Sequence, residues 1–449
     1  MDPVSLPALS GSASHAVARS LDSLPSLSLD ARVDEALRAL LPDAVPRIVA
    51  HARHLEPRLI LLAGSAACGE ACGVHDGGRL LALSDLDLLV FTDRSGVPDE
   101  KALLARALDR DLQEHLERLR FASNPIDAGI FPRSFFAQTA FTLELAEAVS
   151  GGIVLWGEAN ILSPARARRP GAFEGFRLMM NRVVETALPS GSSIPARGSS
   201  TPAHGSSIPL GDRPGAPSVG EPGTGQWKEA YRWSKLALDA GKAWLAARGL
   251  HEASFRKRLA LAEREAASLS DEKGARTIAS PPEERALTEW LNEARIWSAW
   301  RASPAWPPPE ARPQAIAALA RDIARLVAGQ GPMGEDGALD GAALRRILEQ
   351  EEGSPRERLR AWRRAVGHRP AGVSLPAALR LALRWRGAWP RSLFQAAFAL
   401  AWMDAGDASL RAALAGDLPR CRGLELARWN DEWMRALAET VEWGRAAGL

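Results

Sequence analysis

Apolar and polar positions follow two rhythms along this chain. Up to Leu162, short apolar runs bounded by polar residues or glycine alternate with stretches of helical spacing; beyond Gln226 every periodic segment is helical. Leu59 to Ala63 is a short, closely bounded apolar run, which predicts a buried strand. Gly64-Ser65 breaks it. Leu86 to Phe91 predicts a second strand and Ile126 to Phe131 a third. Asp30 is placed as an N-cap, with Val33, Ala36, Leu37 and Leu40 at helical spacing behind it, and a second short helix is expected over Ala44 to His54. Glu100 to Arg120 predicts an amphipathic helix with Leu103, Leu104, Ala107, Leu112, Leu116 and Leu119 on one side, and Phe135 to Ser150 another helix. Such alternation predicts a small mixed sheet covered by helices.

Phe173 to Leu188 reads as a helix whose apolar side is Phe176, Met179, Met180, Val183 and Val184, with the methionines as core filling. Pro189 to Gly225 is dense in Gly, Ser and Pro and repeats Gly-Ser-Ser-Ile-Pro at 191–195 and 205–209. It lacks the apolar surface needed to order itself and is expected to be a flexible insertion. Helices are then predicted over Trp227–Arg248, Ser254–Leu269, Pro282–Ala302, Pro313–Ala328, Ala342–Gln350, Pro355–Val366, Leu375–Arg386, Ser392–Ala405, Ala408–Ala415 and Gly423–Ala447. Pro304 to Pro309, Gly329 to Gly341, and Pro370 with Gly372 separate them. No strict period joins them, which argues against a solenoid. The expected architecture is α+β: a mobile tail over 1–29, a mixed-sheet domain over 30–165, a connecting helix over 166–188, a disordered insertion over 189–226 and a mostly helical bundle over 227–449.

Composition adds little until it is divided. The net charge is only +2, which argues against an extended nucleic-acid groove, though a positive rear half keeps RNA open. Residues 1–165 carry 14 Lys+Arg against 22 Asp+Glu, and the remainder 42 against 32. An acidic front half facing a basic rear half suits a nucleoside triphosphate held between them; an Ala, Arg, Leu and Gly-dominated composition accounts for the asymmetry equally well. The cysteines are Cys68, Cys72 and Cys421. Cys68 and Cys72 lack a second Cys/His pair at finger-like spacing, so they are expected to pack as small apolar side chains in a reducing compartment. No basic-then-apolar leader begins the chain, and the longest apolar stretch, Ser392 to Met403, is too short for a membrane span. A cytoplasmic protein with no membrane partner is the expectation.

Candidate chemistry lies at the start of the second strand. Asp85 and Asp87 are two apart, so they leave a strand on the same face. Two like charges side by side are unfavourable unless a cation lies between them, and hard divalent ions take such oxygens. An isolated D-x-D also occurs at capped turns and solvated edges. Here it follows a strand and a Gly-Ser opening, and Asp127 lies on the third strand. Gly64-Ser65, Ser84-Asp85-Leu86-Asp87-Leu88-Leu89-Val90 and Pro125-Ile126-Asp127-Ala128-Gly129-Ile130-Phe131 together resemble the polymerase-β-like nucleotidyltransferase superfamily. The chain departs from the compact form of that motif by a polar insert around Val74 to Arg79, expected as a loop at the mouth of the site. The run VLWGEANIL within 151–162 is similar to one that closes the catalytic domain of small-molecule nucleotidyltransferases, or is an ordinary loop with one buried Trp.

The resemblance implies transfer of a nucleoside monophosphate from a triphosphate, ATP by default, to an unidentified acceptor (small molecule, RNA or protein). Asp85, Asp87 and Asp127 would be catalytic and would hold Mg²⁺ or Mn²⁺. Gly64 would let the backbone approach the phosphates, Ser65 would donate to them, and Lys235 would reach the triphosphate tail from a helix. Tyr231, Lys235 and Asp239 are spaced four apart on one helical face, where a solvated Lys–Asp pair is the plainer expectation. Asn181-Arg182, just before the insertion, is a weaker candidate for reaching the nucleotide, while Arg177 and Arg182 read equally as surface charges. Two rivals stand beside this reading. Arg363 and His368 have the R-x4-H spacing of a helical RNase family, which also recurs at Arg110 and His115. Alternatively, the fold is a catalytically inactive nucleotide- or partner-binding protein, favoured if the insert displaces Asp85.

Overall fold

The computed structural model describes residues 24–76, 79–94, 100–112, 119–121, 126–132, 142–163, 168–187, 223–274, 281–328, 341–351, 353–370, 373–402, 418 and 438–443. The expected segments over 113–118, 135–141, 189–222, 408–415 and 423–437 lie outside them.

The expected tail is anchored where it meets the domain. Leu24 and Leu27 are buried, Ser28 bridges to Ala71, and the Ser28 hydroxyl donates to the Ala71 carbonyl at 2.6 Å. Asp30 caps α1 (Ala31–His51) by accepting from the N–H groups of Arg32 and Val33. The two short helices expected here are one, running through Pro42 and Pro46. An unbroken buried stripe, Val33, Leu37, Leu40, Leu41, Ala44, Val45 and Ile48, holds it together against the hydrogen bonds those prolines remove.

β1 (Pro57–Ala63) is buried on both faces, which explains its continuous apolar run: Leu59 and Leu61 join one core, Ile60 and Leu62 another. It passes into the four-residue α2 (Gly64–Ala67). The expected loop over Val74 to Arg79 is instead a hairpin of β2 (Gly73–Asp76) and β3 (Arg79–Ala82). The buried Val74 and Leu81 pack into the core of the helical body, which gives the hairpin an apolar side a polar loop would lack. β4 (Leu86–Thr92) follows, then α3 (Glu100–Asp111), which is shorter than expected. Its buried side is Leu104 and Leu108, with Leu112 buried just past its end, while Leu103 is 50% exposed. Leu119 belongs to β5 (Leu119–Phe121), whose backbone pairs with β3. β6 (Ile126–Pro132), α4 (Leu143–Gly151) and β7 (Ile153–Gly157) complete the front of the molecule. VLWGEANIL is therefore no ordinary loop: its first half is a strand paired with β1.

The main sheet has the order β6-β4-β1-β7, with β1 antiparallel to both neighbours and β4 parallel to β6; β2-β3-β5 form a smaller sheet. The fold is mixed α and β.

The remaining described elements are helices: α5 (Ala172–Ala187), α6 (Thr224–Ala247), α7 (Phe255–Gly274), α8 (Pro281–Ala302), α9 (Pro313–Val327), α10 (Gly341–Glu349), α11 (Pro355–Gly367), α12 (Leu375–Arg384) and α13 (Pro390–Trp402). α6 starts inside the expected insertion, at Thr224. None of the described helices is long and apolar enough to cross a membrane. One large core joins these helices, centred on fully buried Trp244, Trp290, Trp297 and Trp385.

The crossing of α5 and α6 depends on Gly175, where a Cβ would land on the Ala243 carbonyl oxygen. A backbone oxygen in a helix cannot give way. Gly175→Ala is expected to cost about 1–3 kcal/mol, the range for overpacking. Urea denaturation checks this; an unchanged midpoint would show that the helices separate freely.

Candidate functional site

The end of β1 and the start of β4 build the floor of a cavity. Ala63 stands opposite Asp87 in the antiparallel register, and Asp87 stands opposite Asp127 in the parallel one. Positions 85, 87 and 89 are partly exposed while 84, 86, 88 and 90 are buried, so Asp85 and Asp87 leave on the same, open face. Gly64 turns the chain with φ +68°, and a Cβ there would fall on the Asp87 Oδ2. Glycine is required by both the left-handed backbone and the carboxylate beside it.

The hairpin after Cys72 leaves this arrangement in place because it closes on itself. The N–H groups of Leu83 and Ser84 donate to the Cys72 carbonyl at 2.9 and 3.2 Å, and the Cys72 N–H donates to the Ser84 hydroxyl at 3.1 Å. The chain thus returns to its starting point before entering β4. Cys72 is buried, and burial, followed by Glu70, pushes the Cys68 thiol up to about 12.

Gly64, Ser65, Asp85, Asp87, Asp127 and Lys235 all line one cavity of about 560 Å³ between the sheet and the helices. That volume lies within the ordinary range for small-molecule sites. Burial, with Asp85 and then Asp127 beside it, raises the Asp87 carboxyl to about 7 against the pull of Lys235 and Arg182. The Lys235 ammonium stands 3.7 Å from Asp85 Oδ1 and 5.0 Å from the Tyr231 ring centroid. Burial works against its charge, but Tyr231 and Asp85 prevail and its pKa is raised. Tyr231 in turn holds the start of β4, its hydroxyl lying 3.0 Å from the Ser84 Oγ.

Lys235 is not paired with Asp239 as the helical spacing alone implied. Asp239 accepts from Arg182 at 2.6 Å and lies 3.5 Å from Arg258. Its carboxyl resists burial and is held below the usual carboxylate range by Arg182, Lys242 and Arg258. Glu147 bridges Lys242 at 2.6 Å and Arg258 at 3.3 Å. Arg182, which also pairs with Glu185, is therefore part of the cavity wall. Arg177 instead donates to Glu144 and Glu174.

Sequence reasoning missed Lys242, Arg258, Arg301 and Glu147. Lys242 had a signal, since it continues the helical spacing of Tyr231, Lys235 and Asp239. Arg258 and Arg301 had none, because they arrive from α7 and α8 through tertiary packing. Glu70 fastens one of those helices to the front: its carboxylate accepts from the Ser254 hydroxyl at 2.6 Å and from the N–H groups of Phe255 and Arg256 at 2.8 and 3.2 Å. Arg363 and His368 are both exposed, His368 as the C-cap of α11, and neither lines the cavity.

Among the described residues, no three His, Cys, Asp or Glu side chains are grouped as a ready-made metal cage. Asp85, Asp87 and Asp127 share the cavity, and Asp85 and Asp127 both act electrostatically on Asp87. An all-carboxylate donor set nevertheless fits a hard divalent ion. No protein-family model matches the chain, and neither a curated protein nor a solved structure matches it.

Proposed function

We propose that this protein is a metal-dependent nucleotidyltransferase, an α/β head of the polymerase-β-like type followed by a helical body. It transfers a nucleoside monophosphate from a triphosphate to an acceptor. The observation that carries this reading is the register at the cavity floor: left-handed Gly64 packed on Asp87, Asp87 beside Asp127, and Ser65 at the same opening.

Asp85, Asp87 and Asp127 would hold Mg²⁺ or Mn²⁺, which would neutralise charge at the reacting phosphoryl and at the departing pyrophosphate. Gly64 admits the phosphate chain close to the backbone. Ser65 supplies its hydroxyl and N–H; α2 is too short for a helix dipole to add much. Lys235 faces the tail from α6 and would exchange Asp85 for phosphate oxygens. The acceptor oxygen or nitrogen bonds to the α-phosphorus as the bond from it to the bridging oxygen breaks. Asp127 is within the cavity to take the acceptor's proton as pyrophosphate leaves.

The second reading, a fold that binds nucleotide without transfer, is favoured by the Lys235–Asp85 contact, which already neutralises one carboxylate. The deciding assay incubates the protein with each labelled triphosphate, Mg²⁺ or Mn²⁺ and a cell extract. Transfer of the nucleoside monophosphate label with pyrophosphate release is expected, and Asp127→Asn should lose both. Label bound but never transferred, with no pyrophosphate released under any combination, would leave only the binding reading.

A further inference from the structure

Five cationic side chains line the cavity: Arg182, Lys235, Lys242, Arg258 and Arg301. Four have a carboxylate within ion-pair distance, Asp239 for Arg182, Asp85 for Lys235, Glu147 for Lys242, and both Glu147 and Asp239 for Arg258. Arg301 is different. It is 6% exposed, and its partners among the described residues are the Tyr231 hydroxyl, at 3.2 Å, and the Cys72 side chain. Its Nε has no hydrogen-bond partner among the described residues. Glu70 is near enough to act on it electrostatically, but that carboxylate is engaged at the start of α7.

A guanidinium without a paired carboxylate is costly to bury. Two aromatic rings offset part of that cost: the Arg301 Cζ stands 5.0 Å from the Tyr231 centroid and 4.9 Å from that of Phe255. They also restrict the side chain, so the fork is oriented before any ligand arrives.

We propose that Arg301, held between Tyr231 and Phe255, is an anion-binding subsite that takes a phosphoryl group. Lys235 borders the same Tyr231 ring at 5.0 Å, so two cations flank one phenol. A phosphoryl group carries more oxygens and more negative charge than a carboxylate, so it can engage the fork and the ammonium together and offset both positive charges. The subsite goes beyond the transfer reaction and stands without it, since binding here requires no chemistry. Its phosphoryl group comes either from the tail of the nucleotide or from a phosphorylated acceptor.

Isothermal titration calorimetry with inorganic pyrophosphate, with chelator present and no divalent ion, tests the subsite. Wild-type protein is expected to bind; Arg301→Gln should weaken binding about tenfold or more, as for loss of a charged hydrogen-bond donor. Arg301→Lys, which keeps the charge and removes the fork, should fall between them and serves as the test if Arg301→Gln does not fold. Asp127→Asn should still bind pyrophosphate even where transfer is lost, which separates this claim from the enzymatic one. Competition by ATP assigns the site to the nucleotide tail, and binding without competition assigns it to a phosphorylated acceptor; either keeps the subsite. Pyrophosphate binding in the Arg301 variants equal to wild type, or no binding by wild type, would overturn it.

Discussion

Asp87→Asn is expected to stabilise the metal-free protein above pH 7 while abolishing transfer. The Asp87 carboxyl is raised from 3.8 to about 7, by burial first and then by Asp85. A raised folded-state value means that the folded chain holds this proton more tightly than the unfolded chain. Stability is therefore full below the ordinary carboxylate value and is lost as pH rises through about 7. At about 1.4 kcal/mol per pH unit the loss is at most about 4 kcal/mol, reduced by the solvent that reaches the partly exposed carboxylate. The asparagine keeps the shape and removes the charge, so its melting temperature should hold steady over that range. Mg²⁺ should restore wild-type stability above pH 7 and do much less for the variant. Transfer should fall by about a thousandfold or more, the scale for losing one electrostatic stabiliser. Thermal melts across pH, with and without Mg²⁺, and a transfer assay check each part. Equal pH slopes in the two proteins would remove the charge-crowding argument, and wild-type transfer by the variant would remove the enzymatic one.

Gly64→Ala should damage function more than stability. The left-handed backbone costs an alanine about 1–2 kcal/mol. The larger effect is local, because the new methyl would fall on the Asp87 Oδ2 and force that carboxylate out of its place on the cavity floor. Displacement of about 1 Å in a reacting group costs roughly a hundredfold in rate, and a loss of that order is expected. Gly249→Ala is the control. Gly249 also has a positive φ, +75°, but a Cβ there meets nothing within 4 Å. It should lose similar stability in urea and transfer normally. Comparable rate losses in both variants would mean that backbone strain, and not contact with Asp87, governs the site.

Legibility differed from element to element for physical reasons. β1 and β4 were readable because short apolar runs bounded by Gly or Asp have few other solutions. The break expected within α1 was wrong because Pro42 and Pro46 act locally, whereas the buried stripe from Val33 to Ile48 acts along the whole helix. The long helix expected over 100–120 was wrong because Leu119 meets a strand edge, that of β3, which lies far away in sequence. The insert forms a hairpin and not the expected loop because the helical body, distant in sequence, supplies the apolar surface that Val74 and Leu81 need.

Within the candidate site, the chain's local pattern sets the glycine that ends β1, the shared face of Asp85 and Asp87, and the helical face carrying Tyr231 and Lys235. Period alone decides those, because backbone geometry fixes which nearby residues point together. Packing decided the rest: Asp127 comes to stand beside Asp87, Arg258 and Arg301 reach the cavity from separate helices, and Lys235 meets Asp85 in place of Asp239. Which faces meet over a hundred or more residues depends on how whole surfaces bury one another, and no spacing rule contains that.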